Sequence, residues 1–214
     1  MTRDAIPADL LERAYAAIDA ANAADPVRVD VDGRSVPAAV LYGQRMTQAL
    51  DRFRPDASDA LKIAARGQHI ERFTIPRETY PAGKAGYFRW RKELKNVHER
   101  RIAEILRGLG FASDFAERVG KIVRKDRLKQ DPDMQVLEDV AVLVFLTHEL
   151  DAFLQKHRPE PEKVAGILAK TWGKMSEEGH AAALALNLPN EVVNLLHQGL
   201  AARANGEDAE PPPA

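Results

Sequence analysis

Three side chains in this sequence have the chemistry for acid–base catalysis or metal binding: His69, His98 and Asp139. Asp139 opens an almost wholly apolar segment that ends at Leu146, so we expect its carboxylate to be buried. A buried carboxylate needs an ion-pair partner, a proton or a metal ion. The structural alternative is an ion pair with an arginine. The candidate partners are Arg45, Arg66 and Arg72.

The two histidines carry weaker signals when each is taken alone. His69 lies near the end of a predicted helix, three residues before Arg72, so the two side chains are expected on one side of that helix. His98 interrupts an apolar stripe that includes Leu94 and Ile102. A histidine in such a stripe is more often a hydrogen-bonded core residue than a ligand, so neighbouring groups must decide its role.

Positive charge is concentrated between Arg66 and Arg100, where nine Lys or Arg accompany four Asp or Glu. Guanidinium groups suit phosphate, sulfate or carboxylate because they present paired N–H donors at fixed spacing. The residues that we expect to hold an anion are Arg72, Arg77, Arg91 and Lys95. The alternative is a basic face that only contacts solvent.

Helices must position these residues. The chain has 34 alanines among 214 residues and only 6% aromatic residues, a balance that favours helix over strand. Apolar periodicity predicts helices over 8–24, 37–53, 58–73, 87–109, 113–125, 131–157, 164–172, 177–186 and 190–203. Residues 27–36 are either a short β-hairpin or an extended arm, and residues 74–86 are a loop rich in Pro and Gly.

The fold class predicted is therefore all-α: a single-domain helical bundle over residues 1–204, followed by a disordered acidic, Pro-rich tail over 205–214. The absence of cysteine excludes disulfides, thiol nucleophiles and cysteine-ligated zinc. A net charge of −1 argues against nucleic acid as the partner of the whole protein. We find no signal peptide or membrane segment and expect a cytoplasmic protein.

The order of these motifs resembles the HD-domain fold of helical metal-dependent phosphohydrolases, with a core over about residues 36–157. Tyr42-Gly43-Gln44-Arg45-Met46 stands where that family has His followed by Arg, and Ala64-Ala65-Arg66-Gly67-Gln68-His69 stands where it has Ala-Ala-x-x-His-Asp. His98 opens the third matching segment, and Leu137-Glu138-Asp139-Val140-Ala141 forms the fourth. The resemblance adds Tyr42, Arg45 and Gln68 to the expected substrate-binding residues.

The expected metal ligands differ from those of the HD family. That family offers imidazoles and carboxylates, whereas Tyr42 and Gln68 supply a phenol and an amide, which are poor metal ligands. Either the metal centre has been lost, or His69, His98 and Asp139 form a rearranged one. Three such ligands with an open position would be enough to hold a divalent metal ion.

Over nearly its whole length the chain also resembles domain-of-unknown-function family 4202, whose members are sometimes labelled glutamyl-tRNA synthetase. The matching segments are Gln68 to Arg77, Tyr80-Pro81, Gly86-Tyr87, Trp90-Arg91, Leu94-Lys95, His98 and Val136 to Asp139. Lys174-Met175-Ser176 is similar to a loop of class I synthetases, but no nucleotide-binding βαβ pattern accompanies it.

Three functions follow from these residues. The first is an HD-like hydrolase of a small phosphorylated or anionic metabolite, in which His69, His98 and Asp139 are catalytic, either as ligands of a divalent metal ion or as acid and base. The second is a non-catalytic protein that keeps the HD-like fold and binds an anionic ligand. The third, which the near-zero net charge disfavours, is an RNA-associated protein that uses the basic loop.

Overall fold

Helices form most of the chain between residues 6 and 206, the part that the structure, a computed structural model, describes. The predicted all-α class is confirmed. The chain divides into two compact units, Met1–Leu137 and Glu138–Ala214, called unit 1 and unit 2 below. Residues 207–214 of the predicted tail lie outside the described residues. No helix between residues 6 and 206 is both long and apolar enough to cross a membrane.

Unit 1 contains five complete helices and a hairpin among its described residues. They are α1 (Ala8–Asn22), β1 (Arg28–Val31), β2 (Arg34–Pro37), α2 (Ala38–Phe53), α3 (Asp59–Arg66), α4 (Gly83–Gly108) and α5 (Ser113–Arg124). A sixth helix, α6 (Pro132–His148), spans the boundary with unit 2. The fully buried side chains of unit 1 come from every one of its helices and include Ile18, Met46, Leu61, Ile102 and Ile122.

Of the two alternatives for residues 27–36, a hairpin or an extended arm, the structure has the hairpin, at residues 28–37. β1 and β2 pair antiparallel with Val29 opposite Val36, and the turn holds Asp32 and Gly33 at φ values of 52° and 77°. The buried carboxylate of Asp25 joins this hairpin to the start of α2. It accepts hydrogen bonds from the backbone N–H of Val27 at 2.9 Å and of Ala39 at 2.8 Å.

The third predicted helix, expected over 58–73, is shorter than its periodicity indicates. Ser58 caps α3 by accepting a hydrogen bond from the Leu61 N–H at 3.2 Å, but the helix ends at Arg66. Gly67 follows, and a Cβ there would lie 2.4 Å from Cδ1 of Ile102, so the chain turns where it packs against α4. His69 therefore lies in a turn and not on a helix, and helical spacing does not relate it to Arg72.

The loop between α3 and α4 is more ordered than its composition suggests. It contains two short 3₁₀ turns, Arg72–Thr74 and Arg77–Thr79, and α4 begins at Gly83, four residues before the predicted start. Trp90 closes the loop onto the helix, since its indole N–H donates to the carbonyl of Ile75 at 2.8 Å. Gly86 is required at this point because a Cβ there would lie 1.8 Å from the carbonyl oxygen of Pro81.

Unit 2 has its own apolar core, formed by Leu150, Val164, Leu168, Val192 and Leu196. After α6 come α7 (Leu150–Lys156), α8 (Pro161–Trp172), α9 (Glu177–Leu184) and α10 (Asn190–Ala204). The single helix predicted over 131–157 is broken at Glu149, which lies between α6 and α7. α8 and α10 approach closely at Gly199, where a Cβ would lie 2.0 Å from the carbonyl oxygen of Ala165.

Candidate functional site

Three rings from separate parts of unit 1 come together, that of His98 buried and those of Tyr42 and His69 half-buried. The Tyr42 ring, on α2, stacks on the His69 imidazole with centroids 4.8 Å apart and planes 11° apart. The His69 ring in turn lies 6.0 Å from the ring of His98, on α4, at an interplanar angle of 39°. The structure thus brings together three residues that the sequence proposed as site residues from positions far apart in the chain. We call these three residues, together with Gln68 next to His69 in the chain, the imidazole cluster.

The turn that carries His69 is held on both sides. Glu71 takes the left-handed conformation, with φ of 52°, and its backbone N–H donates to the Asn22 side chain at 2.8 Å. The Glu71 carboxylate accepts from Arg101 of α4 at 2.7 Å. On the other side, Arg66 forms an ion pair with Asp19 of α1, with Nε 2.8 Å from Oδ1. These contacts fix the turn between α1 and α4.

Gln68 and His98 contain buried polar atoms without hydrogen-bond partners. Gln68 is 3% exposed and His98 is 4% exposed. Among the described residues, Oε1 of Gln68 and both ring nitrogens of His98 have no partner of normal geometry. Because an unpaired buried polar atom costs about 1–3 kcal/mol, these atoms, two on His98 and one on the residue before His69, indicate a place where a ligand or water supplies the missing hydrogen bonds.

Both imidazoles are neutral near neutral pH. Burial holds the pKa of His69 well below 6.5, and the positive charges of Arg72 and Lys125 contribute in the same direction. Burial lowers the pKa of His98 to about 4, and the backbone carbonyl of Ile70, the next largest influence, acts in the opposite direction. Arg72, Arg91 and Lys125 lower it further. The cluster is thus a pair of uncharged rings in a positive electrostatic field.

The predicted anion-binding residues divide into two groups. Arg72 and Arg91 lie close enough to act on both imidazoles, and each also lies over an aromatic ring. The guanidinium of Arg72 is 4.7 Å from the centroid of Trp90, and that of Arg91 is 6.0 Å from the centroid of Tyr87. Their planar, charged donors stand at the edge of the cluster.

Arg77, Lys95 and Arg45 have other surroundings. Arg77 donates to the carbonyl oxygens of Tyr80 at 3.0 Å and Gly83 at 3.4 Å, so it shapes the loop before α4. Lys95 pairs with Asp126 at 3.1 Å. Arg45 lies on α2 and is partly exposed. Their expected roles in substrate binding stay predictions.

Lys125 is a site residue that sequence reasoning missed. It ends α5 in the left-handed conformation, with φ of 53°, and its charge acts on both His69 and His98. Its sequence signal is only that of a cation just after the last turn of a helix, which is common at helix ends. Only packing shows that this end of α5 lies near the two imidazoles.

Asp139 lies in unit 2, and its carboxylate supports a helix there. It is 1% exposed, as predicted, and accepts hydrogen bonds from the backbone N–H of Ser176 at 2.8 Å and from its hydroxyl at 2.7 Å. Ser176 is the N-cap of α9, and its Oγ accepts from the Gly179 N–H at 3.0 Å. A Cβ at Gly179 would lie 2.6 Å from Oδ1 of Asp139, so this glycine makes room for the carboxylate.

The surroundings of the imidazoles do not fit a divalent cation. Within residues 6–206, no group of three or more His, Asp or Glu side chains is arranged to hold a metal ion. Arg72, Arg91 and Lys125 add positive charge around His69 and His98, and like charge disfavours a bound cation. His69, His98 and Asp139 therefore stay a predicted set of metal ligands.

Comparison with protein-family models identifies a family that matches most of the chain. A family described as a domain of unknown function, DUF4202, matches residues 12–196. The chain belongs to this family. No curated protein and no solved structure matches the chain. The matched range includes the whole imidazole cluster in unit 1 and Asp139 with Ser176 in unit 2.

Proposed function

We propose that this member of the DUF4202 family binds a small phosphorylated or otherwise anionic metabolite at the imidazole cluster. The observation that carries the proposal is the set of three unpaired buried atoms: Oε1 of Gln68 and the two ring nitrogens of His98. A neutral imidazole donates one hydrogen bond and accepts another, so His98 can pair with a ligand oxygen and with a ligand hydroxyl. The cytoplasmic location expected from the sequence is part of this proposal.

The electrostatics of the cluster favour an anion over a cation or a neutral ligand. An anion next to His98 and His69 is attracted by Arg72, Arg91 and Lys125, whose charges already act at the positions of the two rings. In a partly buried site these attractions are weakly screened by solvent. Guanidinium groups also offer the directed N–H donors that phosphate and carboxylate oxygens accept.

Hydrolysis is the second candidate, and the adjacent imidazoles are the observation that favours it. Because His69 and His98 are neutral, either ring is able to accept a proton from water. A pKa of about 4 makes His98 a weak base at neutral pH, however, so its ring is better suited to hydrogen bonding than to proton abstraction. Binding is therefore the first function and hydrolysis the second.

Calorimetric titration of the full chain with inorganic phosphate, sulfate and a phosphate monoester tests binding. The informative variant is Arg91→Gln, with Arg89→Gln as matched control, because both side chains are exposed on α4 but only Arg91 acts on the imidazoles. We expect Arg91→Gln to weaken binding about tenfold, since charge-assisted hydrogen bonds contribute about 1.5–3 kcal/mol. Arg89→Gln should leave the affinity within about twofold of the parent protein.

Two results would contradict the binding proposal. One is the absence of heat and of thermal stabilisation with every anion tested. The other is an equal loss of affinity in Arg91→Gln and Arg89→Gln, because equal losses would indicate a diffuse effect of surface charge. Incubation of the parent protein with phosphoesters, with and without added Mn²⁺ or Zn²⁺, tests hydrolysis separately. Turnover that disappears in His69→Gln would make hydrolysis the first function.

A further inference from the structure

The first half of α4 presents a stripe of cations around an exposed aromatic ring. Lys84, Phe88, Arg91 and Lys92 follow one another at intervals of four, three and one residues, so they share one face of the helix. The four side chains are exposed, and 54% of the Phe88 surface contacts solvent. We call these four residues the α4 stripe.

Neighbouring rings restrict the orientation of Phe88. The Tyr87 ring meets it edge to face, with centroids 5.8 Å apart, and Tyr87 itself lies 5.9 Å from the buried ring of Trp90. Phe88 is thus the outer member of an aromatic series that starts in the core of unit 1. A ring held in this way needs little further ordering to accept a planar partner.

The positive charge of the stripe favours a polyanion as its binding partner. α4 has no acidic residue in its first turn, so the partial positive charge of the helix N-terminus adds to that of Lys84. Arg91 and Lys92 extend the positive charge along the next two turns. Lys95, one turn further on, is engaged by Asp126 and is left out of the stripe.

We propose that the α4 stripe binds single-stranded nucleic acid, with phosphates on Lys84, Arg91 and Lys92 and a base stacked on Phe88. Alternation of cations with an exposed aromatic ring is the chemistry that unpaired nucleotides require. The inference goes beyond the proposed function, because the side chains of the stripe are exposed, whereas those of the imidazole cluster are buried or half-buried. Arg91 is the residue that both share.

The apolar content of α4 argues against a lipid surface. A helix that lies on a membrane presents a continuous apolar face, and the apolar face of α4, which includes Trp90 and Leu94, is buried in unit 1. Phe88 is the large apolar side chain that α4 exposes among the described residues. The net charge of −1 predicts no general affinity of the whole protein for nucleic acid. Binding at the α4 stripe depends on the local positive charge of the stripe and not on the net charge of the protein.

Fluorescence anisotropy with a labelled oligouridylate of about twelve nucleotides tests the stripe at about 50 mM salt and in a salt series. We expect binding that weakens steeply with salt. Phe88→Ala should bind about tenfold more weakly and Phe88→Trp should retain the affinity, because a base stacks on any aromatic ring. In the double variant Lys84→Gln, Lys92→Gln, the slope of log affinity against log salt concentration should fall by the amount expected for the loss of about two phosphate contacts.

Control variants separate the stripe from general effects. Leu184→Ala removes another exposed apolar side chain, and Lys121→Gln removes an exposed cation of α5, so both should bind RNA normally. Absence of RNA binding would overturn the proposal. RNA binding that is unchanged in Phe88→Ala would also overturn it, because it would show that the cations bind any polyanion without stacking of a base. Binding to anionic phospholipid vesicles without RNA binding would also overturn it. Phosphate binding in the parent protein tests the imidazole cluster independently, since Phe88→Ala should not alter it.

Discussion

The Tyr42 ring stacks on the His69 imidazole, with centroids 4.8 Å apart and planes 11° apart. This contact joins α2 to the turn after α3, two segments that neither helical spacing nor the hairpin relates to each other. The ring of Tyr42 is therefore a packing partner of His69.

Replacing Tyr42 tests the contribution of the stack to stability. Tyr42→Leu should lower the free energy of unfolding by about 1 kcal/mol beyond the loss of apolar area, because aromatic pairs contribute about 0.5–1.5 kcal/mol of this kind. Tyr42→Phe, which keeps the ring, is the control. Urea denaturation measures both variants. Equal stability of Tyr42→Leu and Tyr42→Phe would show that the stack contributes nothing.

Acid should destabilise unit 1 through its histidines. An exposed histidine has a pKa of 6.5, whereas folding lowers that of His98 to about 4. The unfolded chain thus binds a proton that the native protein does not, and stability falls as the pH drops from about 6.5 towards 4. At about pH 5 the loss from His98 alone is about 2 kcal/mol relative to pH 7.5.

A non-titrating side chain isolates this effect from that of the carboxylates. In His98→Gln, the difference in unfolding free energy between about pH 7.5 and pH 5 should be smaller than in the parent protein by about 2 kcal/mol. His197→Gln is the control, because the ring of His197 is exposed on α10. Urea denaturation of the three proteins at both pH values gives the three differences needed. An unchanged pH dependence in His98→Gln would refute the depressed pKa.

Loss of Asp139 should damage unit 2 directly. Asp139→Ala removes the acceptor for the N–H and hydroxyl of Ser176, and buried donors left unpaired cost about 1–3 kcal/mol each. We expect a loss of stability of about 2–3 kcal/mol, with fraying of α9. Asp139→Asn keeps one acceptor and should lose less. Thermal denaturation and hydrogen exchange at residues 177–184 measure these effects.

The expected loss of stability in Asp139→Ala affects how activity assays of Asp139 variants are interpreted. A loss of activity in Asp139→Ala would follow from unfolding of α9 as well as from loss of a ligand, so Asp139→Asn is the variant to assay. If the purified protein contains a stoichiometric metal ion and folded Asp139→Asn lacks it, the metal-ligand prediction made from the sequence is supported. If Asp139→Ala is as stable as the parent protein, the inference that Asp139 supports α9 through Ser176 is wrong.

The contact between α8 and α10 should not tolerate a side chain at Gly199. In Gly199→Ala the new Cβ would lie 2.0 Å from the carbonyl oxygen of Ala165, so the helices must separate. We expect a loss of about 2–3 kcal/mol, typical of overpacking. Gly108→Ala is the control, since it lies at the end of α4 with no atom within 4 Å of its Cβ, and it should be neutral or stabilising by up to about 1 kcal/mol.

Much of the local structure follows from the sequence because its causes are local. Asp32-Gly33 provides the positive φ angles that the hairpin turn needs, and Ser58 provides the cap of α3. The errors lie where packing competes with periodicity. α3 stops at Arg66, where Gly67 packs closely against Ile102, and α4 starts early, where Gly86 lets Pro81 approach its backbone. A single-sequence pattern does not contain these contacts.

The sequence by itself determined the all-α class, the burial of Asp139 and the concentration of cations around His69 and His98, and it left a hairpin and an extended arm as alternatives for residues 27–36. These depend on residue type and on spacing within one element. Only the tertiary structure decided which groups come together: the Tyr42 ring on that of His69, the charge of Lys125 near enough to act on both imidazoles, and Asp139 bonded to Ser176. Such partners are separated by 27 or more residues along the chain, so close packing, and no local propensity, brings them together.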